Sequence, residues 1–148
     1  MPSTIGAFQN SSGIFSYRFM PSFDAIHITN FKMSDNNKEG VVEIPDKIDG
    51  YYVENIDKQA FSNNLLIKSV ILPPHLLIIS DRAFSDCINL KSVKFSKSLI
   101  RIGRSAFAGC TSLKNVNLDS VNYIDTGAFA DCKNLESINL GNKIETIH

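Results

Sequence analysis

Apolar residues recur at fixed offsets from Ile56 onward. The segment ISDRAFSDCINLKSVKF runs from Ile79 to Phe95, and it returns as IGRSAFAGCTSLKNVNL (Ile102 to Leu118) and IDTGAFADCKNLESINL (Ile124 to Leu140). A looser copy, IDKQAFSNNLLIKSVIL, occupies Ile56 to Leu72. The Phe of each Ala-Phe pair stands at Phe61, Phe84, Phe107 and Phe129, in steps of 23, 23 and 22 residues. A period of that length belongs to stacked-repeat architectures. Each copy turns about seven apolar groups inward: an Ile, the Ala-Phe pair, a Leu or Ile, a Val or Ile, a closing Leu or Phe, and a Leu or Val three residues before the Ile. Burying a large apolar side chain is worth about 1.5–3 kcal/mol. One coil offsets its ordering entropy only when neighbours cover both its sides, so the copies must stack.

The pattern Leu-x-x-Val-x-Leu ends in a period-2 alternation with β-branched residues. It predicts a short parallel strand over Ser92 to Phe95 and its equivalents. The Ala-Phe segment reads either as a short helical turn or as an irregular corner. Upstream, IFSYRFM and DAIHITNF both alternate, with MPSFD supplying turn chemistry between them. This predicts a β-hairpin over Ile14 to Phe31 that covers the apolar end of the stack, as repeat proteins require. Residues 1–13 are small and polar and read as a flexible lead-in. The remainder, 14–148, reads as one domain, with residues 14–40 as an N-terminal β cap and 41–148 as stacked repeats. VVEIP (Val41 to Pro45) opens the array as a partial coil. KIETIH at the other end restarts the unit without completing it, since an Ala-Phe would fall due at about 151 and 152. That predicts either a longer array or an end covered by another chain, and hence homo-oligomerisation through the uncapped end.

Composition adjusts this picture little. The 148 residues carry 15 basic and 15 acidic side chains, for a formal net charge of zero. A nucleic-acid partner is therefore not expected, because phosphate binding needs a basic excess. No apolar run is long enough to span a bilayer, so membrane insertion is not expected either. The N-terminus lacks the basic and apolar regions of a secretory signal. Cys87, Cys110 and Cys132 share one repeat position, three residues after the Phe, and read as a buried ladder of thiols rather than a zinc site. His27, His75 and His148 fall in the cap, a loop and the terminus, and build no nucleophile–base pair. Asp81, Asp86, Asp125 and Asp131 read as solvated turn residues. No cofactor or metal and no catalytic residue is expected, and the chain reads as a non-enzyme.

The residues between the core positions are better candidates. Lys68, Lys91 and Lys114 stack into a column, and Ser92, Asn115, Lys94, Asn117 and Asn139 lie on the same outward face. A solvated sheet with edge-protecting lysines explains such a face. A basic, hydrogen-bonding surface for an acidic protein or a glycan explains it as well. Tyr51 and Tyr52, in the loop before the first full coil, are amphipathic aromatics of the kind that anchor partners. The candidate partner-binding set is therefore Lys91, Lys94, Lys114, Ser92, Asn115, Asn117, Asn139, Tyr51 and Tyr52.

The pattern Ile-x-x-x-Ala-Phe-x-x-Cys-x-x-Leu-x-x-Val-x-Leu resembles the leucine-rich repeats of the BspA-like, Treponema-type class. The lead-in VVEIPDKIDGYYVENIDKQAF is similar to the segment that opens such arrays. The resemblance departs at Asn64, where Cys is expected, and in having Leu-Pro only at Leu72-Pro73. It implies an α/β repeat solenoid, a leucine-rich-repeat right-handed superhelix with short parallel strands, mostly β and irregular, behind an N-terminal β-hairpin cap. It also implies secretion or a cell-surface location and an adhesin-like role in protein–protein or surface interaction. The alternatives are a glycan-binding or targeting module of a larger protein and a purely structural surface or spacer domain.

Overall fold

The structure, a computed structural model, describes residues 4–148. Alternation of Phe15, Tyr17 and Phe19 with polar neighbours forms strand β2 (Gly13–Met20), and a 3-10 turn at Pro21–Phe23 leads into β3 (Ala25–Met33). The two pair antiparallel, with a register shift at Ser16/Tyr17. The bulge explains why the buried residues of β3 step by two from Ile26 to Ile28 and then by three to Phe31. Strand β1 (Ile5–Gln9) adds antiparallel to the outer edge of β2. Residues 5–9 are thus a paired strand and not the flexible lead-in expected of 1–13; residues 1–3 of that stretch lie outside the described residues.

The array follows as β4 (Val41–Glu43), β5 (Lys47–Ile48), β6 (Tyr51–Ile56), β7 (Ser69–Ile71), β8 (Ile78–Ile79), β9 (Ser92–Lys94), β10 (Arg101–Ile102), β11 (Asn115–Asn117), β12 (Tyr123–Ile124), β13 (Ser137–Asn139) and β14 (Thr146–Ile147). Each coil contributes two short strands to two separate ladders. One ladder runs β3-β6-β8-β10-β12-β14, all parallel, and places Ile28, Ile56, Ile79, Ile102, Ile124 and Ile147 in a single column. The other comprises β4-β7-β9 and, separately, β11-β13. The β5 strand folds back antiparallel on β6.

The Ala-Phe segments are corners, not helical turns. Asn63, Asp86, Gly109 and Asp131 hold left-handed φ values of 58°, 58°, 74° and 56°, and Gln59, Arg82, Ser105 and Gly127 do the same four residues earlier. Left-handed residues at that interval cannot continue a helix. They turn alternate amides along the stacking axis instead. Arg82, Phe84 and Asp86 donate to the carbonyls of Arg104, Ala106 and Ala108, at 2.9, 2.8 and 2.7 Å. Phe61, Phe84, Phe107 and Phe129 consequently superpose, with centroids 4.8, 5.2 and 5.4 Å apart and planes within 14°. Phe31 extends the pile onto Phe61 at 5.2 Å. Each cysteine fits the same corner: Cys87, Cys110 and Cys132 donate Sγ–H to the carbonyls of Phe61, Phe84 and Phe107 at 3.1–3.2 Å.

The class is accordingly a β-solenoid of about five turns. The α/β label does not hold, since the regular elements of the described residues are strands plus the single 3-10 turn. Several of the expected inward residues are less covered than their equivalents, among them Phe95, Phe129, Leu135 and Leu140, which are half-buried. Val93 is only half-buried, whereas Val70 and Val116 are 1% and 3% exposed, and Ile138 is 41% exposed.

Candidate functional site

The ladder of β4, β7, β9, β11 and β13 carries the sequence-derived candidates. Its inner side chains are Val42, Val70, Val93, Val116 and Ile138, aligned by the registers of β4-β7-β9 and of β11-β13. The alternation of a strand then turns Ser69, Ser92, Asn115 and Ser137 outward in one column and Glu43, Ile71, Lys94, Asn117 and Asn139 in the next. Lys91, Ser92, Lys94, Lys114, Asn115, Asn117 and Asn139 are all exposed. The amides satisfy one another across β11 and β13. Ser137 Oγ donates to Asn115 Oδ1 at 2.7 Å, and Asn139 Nδ2 to Asn117 Oδ1 at 3.1 Å. Among the described residues the lysines of this face make no ion pair.

Tyr51 and Tyr52 do not join this face as a pair. Tyr51 packs on Phe19 with centroids 4.6 Å apart and belongs to the hairpin interface. Tyr52 stacks on the His75 ring at 3.7 Å, Lys47 Nζ lies over the Tyr52 ring 4.7 Å from its centroid, and His75 Nδ1 lies 3.0 Å from Asp46 Oδ1.

The face is interrupted at its centre. Lys68, Lys91 and Glu136 donate their amides to Gly40, Lys68 and Lys114 in the preceding coil, each at 2.8 Å, while the step from Lys91 to Lys114 has no such bond. Leu72 and Leu118 donate to Lys94 and Asn139, but Phe95 makes no equivalent bond to Asn117. Phe95 is the odd rung, standing where the other coils have Leu72, Leu118 and Leu140. Its ring meets Phe107 edge-on, 66° out of plane and with centroids 5.7 Å apart. Beside it lies a groove of about 470 Å³ lined by Phe8, Pro45, Ile71, Pro73, Lys94 and Phe95, among others. Sequence reasoning missed this groove because Phe8 sits in the stretch read as flexible. The available signal was the single Phe in a column of leucines.

The other reactive groups are committed to structure. Burial pushes the Cys87 thiol up to about 12, and burial likewise raises Cys110 and Cys132, so the thiolate form is suppressed at neutral pH. Asp57, in the corner after β6, is held by Arg18 of β2 at 2.8 Å and by His27 of β3 at 3.1 Å. A carboxylate only accepts, so His27 Nδ1 carries the hydrogen of that bond. Asn55 Nδ2 donates to the same Asp57 oxygen at 3.2 Å, and Ser80 Oγ donates to Asn55 Oδ1 at 3.0 Å. Ser80 and His27 share no bond, and the network ties the hairpins to the first coil.

With this geometry in place, comparison with known proteins gives consistent results. A family model described as the BspA type leucine rich repeat region matches residues 54–148 in 6 copies. No curated protein matches. A leucine-rich repeat protein from Bacteroides capillosus has a similar structure, with 24% identity over 90% of this chain and 96% of that one and a TM-score of 0.76. The T. pallidum leucine rich repeat protein TpLRR is 31% identical over 84% of this chain and 67% of its own, with a TM-score of 0.63. A leucine rich cell surface protein from Faecalibacterium prausnitzii is 29% identical over 88% of this chain and 35% of its own, with a TM-score of 0.73.

Proposed function

The chain belongs to the BspA-type leucine-rich repeat family, and from that premise we propose that it is a non-enzymatic interaction module, adhesin-like, that binds a protein partner at a cell surface. The observation that carries this reading is the exposed face of Lys91, Lys94 and Lys114 beside Ser92 and Asn115, charged groups that form no ion pair among the described residues. Stacked coils present a long recognition surface of this kind. The cell-surface designation of the similar Faecalibacterium prausnitzii protein supports the location. An acidic protein surface complements the face, and the association is salt-dependent because the lysines are solvated.

The test starts from a partner captured from native extract and then identified. Its affinity is measured for the parent chain and for a Lys91→Ala, Lys94→Ala, Lys114→Ala variant at low and high salt. The variant is expected to bind about tenfold more weakly at low salt and to lose most of the salt dependence. Unchanged binding at low salt overturns the assignment of this face.

A further inference from the structure

The groove beside Phe95 differs from the lysine columns in carrying both signs of charge around an apolar floor. Ile71, Pro73, Phe95 and Phe8 of β1 supply its apolar lining, and the volume of about 470 Å³ lies within the roughly 300–1,000 Å³ of small-ligand sites. The register Glu43↔Ile71↔Lys94 sets Glu43 and Lys94 on the two sides of Ile71. Lys97 also lines the groove. Glu43, Lys94 and Lys97 are exposed, and among the described residues none of them forms an ion pair. Two ladder steps of about 4.8 Å separate Glu43 from Lys94 by roughly 10 Å, too far for them to neutralise each other directly.

We propose that this groove holds an extended segment of a partner protein in which a basic and an acidic residue bracket an apolar one. This deepens, and rests on, the reading of the face as a protein-binding surface. In an extended chain alternate side chains share one face, so the order acid–x–apolar–x–base presents all three together. Its end residues lie about 13 Å apart at ~3.3 Å per residue, which suits two charges roughly 10 Å apart on outward-reaching side chains. The apolar side chain covers Ile71 and Phe95, the acid meets Lys94 and Lys97, and the base meets Glu43. A neutral glycan leaves all of these charges unanswered, and a polyanion is repelled by Glu43 and Asp46.

The test is a titration of the isotope-labelled full chain with two capped pentapeptides, Asp-Ser-Phe-Ser-Lys and Lys-Ser-Phe-Ser-Asp, followed by backbone amide shifts. One orientation is expected to shift the amides of Ile71, Lys94 and Phe95 saturably, and a control with Ser for Phe to lose the effect. A Lys94→Glu, Lys97→Glu variant is expected to weaken binding about tenfold. Adding Glu43→Lys to it is expected to invert the preference between the two peptides, which a change in folding alone does not do. Saturable shifts in neither titration at millimolar peptide, or a preference unmoved by the charge swap, overturns the proposal. Lys91 and Lys114 lie outside the groove lining, so the two readings separate. If Lys91→Ala with Lys114→Ala weakens the captured partner while the peptides fail, only the groove proposal falls. If the peptides bind and the partner ignores those lysines, only the lysine-column reading falls.

Discussion

The two ladders of the solenoid are built from the same repeat, yet one is continuous and the other is split. The continuous ladder from β3 to β14 carries Ile28, Ile56, Ile79, Ile102 and Ile124 at one inner position. The split ladder carries Leu72, Phe95, Leu118 and Leu140 at its closing position, and it parts between β9, which Phe95 follows, and β11. Backbone pairing fixes strands 4.7–4.9 Å apart, so equal rungs keep a ladder closed and a larger ring spreads it. The corner confirms the rule from the other direction. Its Phe pile is uniform, its planes are nearly parallel, and its amide rows pass from coil to coil without a gap. The break in the split ladder thus coincides with the one coil whose closing residue is a phenylalanine, while the uniform pile keeps its amide rows intact.

The largest expected effect comes from breaking the uniform pile. Phe84 is fully buried between Phe61 and Phe107, and Phe84→Ala is expected to cost about 3–5 kcal/mol, as buried Phe→Ala changes do. Phe95→Ala, at a half-buried ring on the split ladder, is expected to cost clearly less. Urea midpoints of both variants check the contrast, and equal losses break it.

A smaller effect mends the split. Phe95→Leu restores the rung size of Leu72 and Leu118, so the amides of Lys114 and of position 95 are expected to pair across the break between β9 and β11. Hydrogen exchange at Lys114 is then expected to slow about tenfold, the equivalent of one net hydrogen bond. Exchange unchanged from the parent means that something other than ring size holds the ladder open. The same substitution removes the aromatic part of the groove floor, which couples the defect in the ladder to the site beside it.

Why the sequence showed one of these features and not the other follows from what a hydrophobic pattern encodes. Period and burial were readable: the four stacked phenylalanines, the Ile column and the cysteine positions all lie where the spacing put them, and β9 forms over Ser92–Lys94 inside the expected strand. Size mismatch was not readable, because Phe and Leu are equally apolar in a pattern. The second strand of each coil escaped notice because two residues, such as Ile78–Ile79, show no alternation. Strand β1 escaped for another reason: it pairs through its backbone while Ile5 stays 70% exposed, so no buried period marks it. The corner reads like a helical turn until its left-handed residues are seen, and five of those eight positions carry Asn, Asp or Gly, which tolerate that conformation.

The smallest effect concerns how the continuous ladder is fastened to the hairpins. Burial alone would raise the Asp57 carboxyl, but the hydrogen bond from His27 and the charges of His27 and Arg18 outweigh it and hold Asp57 below its ordinary value. A carboxylate depressed in the folded state adds stability that is complete above the unfolded value, about 3.9, and is lost as pH falls through the folded value beneath it. Below about pH 4 the seam between β2, β3 and the first coil should therefore loosen, while the Phe pile, which carries no titrating group, should not. The urea midpoint of the parent chain is expected to fall between pH 6 and pH 3 more steeply than that of Asp57→Asn. Amides of Arg18 and His27 are expected to lose protection before those of Phe84 and Phe107. If the variant falls as steeply as the parent, the acid-sensitive seam lies elsewhere, and the hairpins are held to the continuous ladder by backbone pairing and by the packing of Phe19 on Tyr51 and Phe31 on Phe61.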